Sequence, residues 1–299
     1  MIDSILNNYL LIMISIFGIC LGSFYNVVIL RSLTNESIVF PSSKCPKCGN
    51  KLKPWHNIPV LSYIFLKGKC AFCKEKISIQ YPIIELTTKG LFAYSFLKFG
   101  LEWKTLLAII ICSCLLIMSM TDLKEKLVDC NIAIGLAIIG ILYNWLVNNT
   151  LLDSIYGLVL GAVLMEILAS IGYLFKKGRA FGEADTYVAG ALGACFGLIG
   201  LLQILIYTLI ASMIFIIPMF LYKQYKNNNK TTCILSILFI LFALTYKLLV
   251  QNWYSFGVLA VTGLALCYSI LSSIKKDSDL TYLPLVPAFS LGTLYFLFF

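Results

Sequence analysis

Long apolar runs separated by short polar, often basic, stretches dominate the chain. A membrane-spanning helix needs about 20 mainly apolar residues. Runs of that kind cover Tyr9–Leu30, Pro82–Phe99, Thr105–Thr121, Asn131–Val147, Ser154–Phe175, Thr232–Val250, Tyr254–Ser272 and Thr281–Phe299. The run Thr186–Tyr222 has 37 residues, too many for one crossing, and predicts two crossings with a tight turn near Gly197–Gly200. No basic region precedes the first run and no small-residue cleavage site closes it, so it is expected to be a span and not a removable signal. The pattern predicts an all-α polytopic membrane protein of about 8–10 transmembrane helices, with ten favoured and both termini outside. One long polar stretch interrupts it. The predicted organisation is a first helix at 1–30, an insert at 31–82, a core of spans at 83–222 and further C-terminal spans at 223–299.

Composition agrees with a membrane protein. Of 299 residues, 60% are hydrophobic and 12% charged, where a soluble domain is about 45–50% apolar and about 25% charged. Charge then supplies orientation. The net charge is +9, and nucleic acid is not needed to explain it, because basic residues gather on the inner side of a membrane. Nine lie in the insert (Arg31, Lys44, Lys47, Lys51, Lys53, Lys67, Lys69, Lys74, Lys76). Lys124 and Lys126, then Lys176, Lys177 and Arg179, then Lys223, Lys226 and Lys230, then Lys275 and Lys276, each follow two spans further on. The insert is therefore predicted to be cytoplasmic. His56 is the single histidine, which excludes a zinc protease that needs two. It lies in the insert and is expected on its surface.

Within the insert, Cys45-Pro-Lys-Cys48 is followed after 21 residues by Cys70-Ala-Phe-Cys73. Two Cys-x-x-Cys pairs at this separation match a four-cysteine zinc ribbon, each pair turning two thiolates toward one tetrahedral ion. Gly49 and Lys74 stand where each knuckle needs a tight turn. Four thiolates suit Zn2+ first and a single iron second. With all four positions filled by cysteine no site is open for catalysis, so the metal staples an insert too short to build a core.

Carboxylates in or at the edge of a membrane are costly and mark function. Asp122 ends the third span and Asp185 begins the sixth, at the same predicted cytoplasmic depth. Such a pair can share a proton, one acid donating to a scissile carbonyl while the other activates water; the alternative is two interfacial charges facing water. Glu85 lies one turn into the second span. Glu166, in mid-span, suits a buried polar contact between helices.

Several motifs together resemble type IV prepilin peptidases. They are Phe17-Gly18-x-x-Leu21-Gly22-Ser23-Phe24-x-Asn26, the two cysteine pairs, Asn57-Ile58-Pro59, Gly68-Lys69-Cys70, Tyr81-Pro82-x-x-Glu85-Leu86, Asp122, and Gly182-x-x-Asp185 followed by Gly190-Ala191-Leu192-Gly193. The resemblance implies a multi-pass protein of the bacterial inner (cytoplasmic) membrane. Its activity would be cleavage of the basic leader of prepilins and pseudopilins, followed by N-methylation of the new terminus from S-adenosyl-L-methionine. Asp122 and Asp185 would be the catalytic pair. For the methyl transfer an acidic group could orient a cation, and Glu85 is the candidate; Gly22, Ser23 and Asn26, where the first span meets the insert, and Gly68 are candidates for the cofactor side, with helix packing through small and polar residues as the alternative for the first three. Cys45, Cys48, Cys70 and Cys73 would be the zinc ligands. Membrane lipid and the pilin substrates are the implied partners. The chain departs from the usual Gly-x-Gly-Asp in having Ala184 before Asp185, and Asp129, in Val128-Asp129, is a rival to Asp122. Two other readings stand beside this one: a transporter or assembly scaffold whose ribbon docks a partner, and an iron-bearing redox protein.

Overall fold

In the computed structural model, residues 2–34, 36–40, 42–176, 182–226 and 285–299, with 234 and 238, are described. Among them every regular element is helical: α1 (Ile2–Thr34), α2 (Leu61–Phe65), α3 (Gln80–Phe99), α4 (Trp103–Glu125), α5 (Cys130–Tyr143), α6 (Leu151–Lys176), α7 (Glu183–Lys226) and α8 (Val286–Phe298). A single 3-10 turn, Pro54–Asn57, precedes α2, and a π turn, Asn144–Asn148, extends α5. Five described helices are long and apolar enough to cross a membrane: Ile5–Ser32, Trp103–Glu125, Cys130–Asn148, Leu151–Ser170 and Glu183–Ser212. α3 falls outside that set, since Gln80, Glu85, Lys89 and Lys98 lower its apolar content. The runs Thr232–Val250 and Tyr254–Ser272 lie outside the described residues.

The turn expected within Thr186–Tyr222 is at Gly197, whose φ of 71° and ψ of −174° interrupt α7. Residues four apart on a continuous helix have Cβ atoms about 5–6 Å apart. A Cβ placed on Gly200 would lie 2.8 Å from that of Phe196, so the chain folds back sharply here. The break is capped on both sides. Asn144 Nδ2 donates to Ala194 O and Cys195 O, at 2.9 and 3.1 Å, and the Ser154 hydroxyl also donates to Ala194 O. Leu198 N, opening the second half, donates to Asp153 Oδ1 at 3.2 Å. A helix end inside a membrane has no water to satisfy its free backbone groups; here the α5 end and α6 supply the partners.

Between helices in lipid, packing and hydrogen bonds replace the hydrophobic drive, and small residues let backbones approach. α6 meets α7 along such a seam: a Cβ on Gly157 or Gly193 would run into the other's backbone, and one on Gly161 would meet that of Ala189. The main core joins Leu107, Ile111, Leu115 and Met118 of α4 to Leu136, Met165, Val188, Leu192, Leu201 and Ile204, and closes against Val286 and Phe289 of α8. A second cluster, Tyr25, Val28, Ile29, Ile84 and Ile117, fastens α1 and α3 to α4. Outward faces such as Ile12, Met13 and Ile16 of α1 are exposed and apolar, as lipid contact requires.

Candidate active site

Asp122 lies near the C-terminal end of α4 and Asp185 at the start of α7, and both side chains are buried. Local sequence explains Asp185. Gly182 precedes the helix, and three residues on the Asp185 side chain turns back so that Oδ2 accepts from Gly182 N at 3.1 Å. This is the reciprocal arm of a capping box, which fixes the carboxyl at the helix mouth. Asp122 is held from a distance. Its Oδ2 accepts from Val286 N at 3.2 Å, 164 residues further on. Val286 is the first residue of α8, so this N–H is one of the free donors of a helix N-terminus, where negative charge is favoured. The Ser119 and Ser290 hydroxyls join α4 to α8 one turn away. The Asp122 and Asp185 carboxyls lie within electrostatic reach of each other, so α4, α7 and α8 bring two acids of distant sequence to one place. Each carboxyl is left with an oxygen that no described hydrogen bond occupies.

Asp129 has another task. It is exposed, and its Oδ1 accepts from Asn131 N at 2.9 Å as the N-cap of α5. Glu166 differs from the expectation of a buried contact. It is exposed and reaches Thr186 across the α6–α7 seam at 3.5 Å.

In the insert the four sulfur atoms of Cys45, Cys48, Cys70 and Cys73 lie within 4.8 Å of one another, and Cys45 Sγ and Cys73 Sγ are 3.9 Å apart. A zinc ion bound tetrahedrally by four sulfurs at about 2.3 Å gives S–S edges of about 3.8 Å, so the donors fit such an ion. The knuckles repeat. Gly49 N donates to Cys45 O and Lys74 N to Cys70 O, while Gly49 and Lys74 take the same left-handed conformation, φ 71° and 60°. Backbone N–H groups of Cys73 and then Phe72 lower the Cys70 thiol from 9.0 to about 7, against a smaller opposing effect of burial. His56 corrects the expectation of a surface side chain. It is half-buried, its ring packs edge-on to Phe72 at 5.5 Å, and Nδ1 has no hydrogen-bond partner.

The membrane end of the insert gathers most of the remaining candidates. A Cβ on Gly22 would lie 2.7 Å from the Glu85 Cα, so only glycine lets α1 and α3 approach there. Glu85 Oε2 accepts from Val60 N at 2.7 Å, and the Ser23 side chain also engages this carboxylate. Asn26 Nδ2 donates to Gly22 O and Tyr81 O, both at 3.2 Å, and its buried Oδ1 has no partner. Gly68 is placed elsewhere, in the turn before Cys70, where its N–H donates to Tyr63 O and its carbonyl accepts from Ile77 N. Val60 and Val286 were not legible in the sequence because both act through backbone N–H groups.

The bacterial peptidase A24 N-terminal domain model matches residues 16–99, and the type IV leader peptidase family model matches residues 109–221. Proteins called prepilin leader peptidase/N-methyltransferase are similar along much of the chain. The one from Neisseria gonorrhoeae is 30% identical over 251 residues, covering 76% of this chain and 87% of its own. Those from Pseudomonas aeruginosa (31%, covering 60% and 70%) and Myxococcus xanthus (32%, covering 64% and 58%) are comparable. No solved structure matches. With both family models falling in order on the helices that carry Gly22, Glu85, Asp122 and Asp185, and with a relative of which the chain covers most of the length, this chain belongs to the type IV leader peptidase family.

Proposed function

We propose that Asp122 and Asp185 are the catalytic pair of an aspartyl endopeptidase that removes the leader of type IV prepilins and related pseudopilins at the cytoplasmic face of the bacterial inner membrane. The observation that carries this reading is that two buried carboxyls lie within electrostatic reach of each other, each fastened through one oxygen by a backbone N–H. Fastening matters because acid–base catalysis needs groups held at a fixed distance from the reacting atoms. The ionised member takes a proton from a water molecule. The resulting hydroxide adds to the scissile carbonyl carbon while the protonated member donates to the carbonyl oxygen. As the tetrahedral gem-diol collapses the C–N bond breaks, the leaving amine takes the proton that the first carboxylate acquired, and the second carboxylate takes back its proton from a gem-diol hydroxyl, which leaves a carboxylic acid product. No covalent link to the enzyme forms. The membrane edge suits a substrate that is itself a membrane helix with a basic leader.

The second activity is N-methylation of the new terminus. We assign its charged partners to the α1–α3 junction, where the Glu85 carboxylate and the unpartnered Asn26 Oδ1 are acceptors suited to a cation, with Gly22 and Ser23 shaping the approach and Gly68 holding the adjoining insert. S-adenosyl-L-methionine supplies an electrophilic methyl group when bound. Cys45, Cys48, Cys70 and Cys73 would hold Zn2+ as a structural staple, with no open position for chemistry.

The test is co-expression of a prepilin with the wild type, Asp122→Asn, Asp185→Asn and, as control, Asp129→Asn. Removing either acid–base partner is expected to slow leader cleavage by about 10²–10⁴-fold, read as unprocessed prepilin on a gel. The control should process normally. Undiminished cleavage by both the Asp122→Asn and the Asp185→Asn enzymes would sink the assignment of this pair.

A further inference from the structure

The insert exposes the wrong face of its own helix. In α2, Leu61, Ile64 and Phe65 follow the i, i+3, i+4 spacing that puts side chains on one side of a helix. They are 53%, 62% and 81% exposed, whereas Ser62 and Tyr63 are half-buried. A short helix facing water would place Ser62 outward. The loop is also built to present this face. Val60 before the helix has φ 60° and Lys67 after it has φ 53°, and positive φ is unfavourable for a β-branched residue such as valine. That conformation is held where Glu85 of α3 takes the Val60 N–H. Nearby, Trp55 is 59% exposed with Lys53 Nζ 5.2 Å from its ring centre.

The surroundings say what covers this face. The insert joins α1 to α3 and so lies against the membrane surface. Between 31 and 82 it carries nine basic residues against Glu36 and Glu75. Anionic headgroups of the cytoplasmic leaflet attract a basic segment held near the surface, and tryptophan favours the same depth. We propose that the insert is a membrane-docking module. The Leu61–Ile64–Phe65 face and Trp55 enter the headgroup–acyl boundary of the cytoplasmic leaflet, while Lys53, Lys67 and Lys69 meet anionic lipid phosphates. The strained turn at Val60, fastened by Glu85, aims the face at the bilayer.

The test uses the full-length protein with Trp103→Phe, Trp145→Phe and Trp253→Phe, leaving Trp55 as the reporter. It is reconstituted in phosphatidylcholine vesicles brominated high on the acyl chain, with or without phosphatidylglycerol. Trp55 emission is expected to be blue-shifted and quenched by the brominated lipid, and more so with phosphatidylglycerol. Phe65→Ser should lose most of the quenching. Lys53→Gln combined with Lys67→Gln should lose the extra quenching given by phosphatidylglycerol. Bound metal measured in each variant reports that the insert is still folded. Emission that is unquenched in both vesicles overturns the proposal. So does quenching that appears only after a prepilin peptide is added, which makes the face a substrate surface, or a shift that depends on protein density in the vesicle, which makes it a contact with a second copy.

Discussion

Asp185 and Asp129 show how little a residue's type says about its task. Each is an aspartate at the opening of a helix, and each accepts a backbone N–H there. Asp129 is exposed and spends its carboxylate on capping α5, where loss of the cap costs about 1 kcal/mol. Asp185 is buried and lies within reach of Asp122. Their shared place at the cytoplasmic ends of two predicted spans made the Asp122–Asp185 pair legible in sequence; the bond from Gly182 N to Asp185 was not, because it depends on how the chain enters α7. Replacement of glycine by Ala184 is compatible with the same capping geometry, since the bond is made by Gly182 and Asp185 alone. Glu85 can be separated from its structural role at this scale. Glu85→Gln keeps an oxygen for the Val60 N–H and removes the charge. The expected outcome is a pilin whose leader is removed but whose new terminus lacks the added methyl, seen as the missing mass of one methyl group by mass spectrometry. Full methylation by the Glu85→Gln enzyme would exclude a role for that charge.

Among the elements, the family-like stretch Gly190–Gly193 acquires a physical reason. Gly193 and Gly157 let α6 and α7 touch through their backbones, and that contact sets the angle at which α7 delivers Asp185. The packing of a membrane helix pair rests on such closeness, since lipid is as apolar as leucine. Gly193→Val should force the helices apart and destabilise the protein by about 1–3 kcal/mol, as overpacking does. A fall in the melting temperature of the detergent-solubilised protein, with a parallel loss of cleavage, is the expected result. An unchanged melting temperature would mean that the seam is slack. The break at Gly197 was legible because the run was too long for one span. The caps from Asn144, Asp153 and Ser154 were not, because those residues lie on other elements.

Among the described residues, a packed bundle and a four-cysteine insert meet at Glu85. The bundle has its own apolar clusters, while the insert has few buried side chains beyond Cys45 and Cys70. Removing a bound metal should therefore act on the insert alone. After treatment with a strong chelator, or in Cys45→Ser, trypsin is expected to cut at insert lysines such as Lys51 and Lys67 while the spans stay protected. Metal analysis of the untreated protein should give one equivalent of zinc. An insert as protease-resistant without metal as with it would show that its rings and turns suffice.

Composition, period and short spacing were enough to establish the membrane class and to single out the four-cysteine cluster and the Asp122–Asp185 pair. Packing alone revealed that the Val286 N–H restrains Asp122, that Gly22 admits α1 onto Glu85, that His56 is partly buried, and that α2 turns its apolar face outward. Most of these are contacts between segments distant in the chain, the longest spanning 164 residues, and several are made by backbone atoms that every residue carries. A backbone N–H has no sequence signature, so its partner is known only once the chain has been packed.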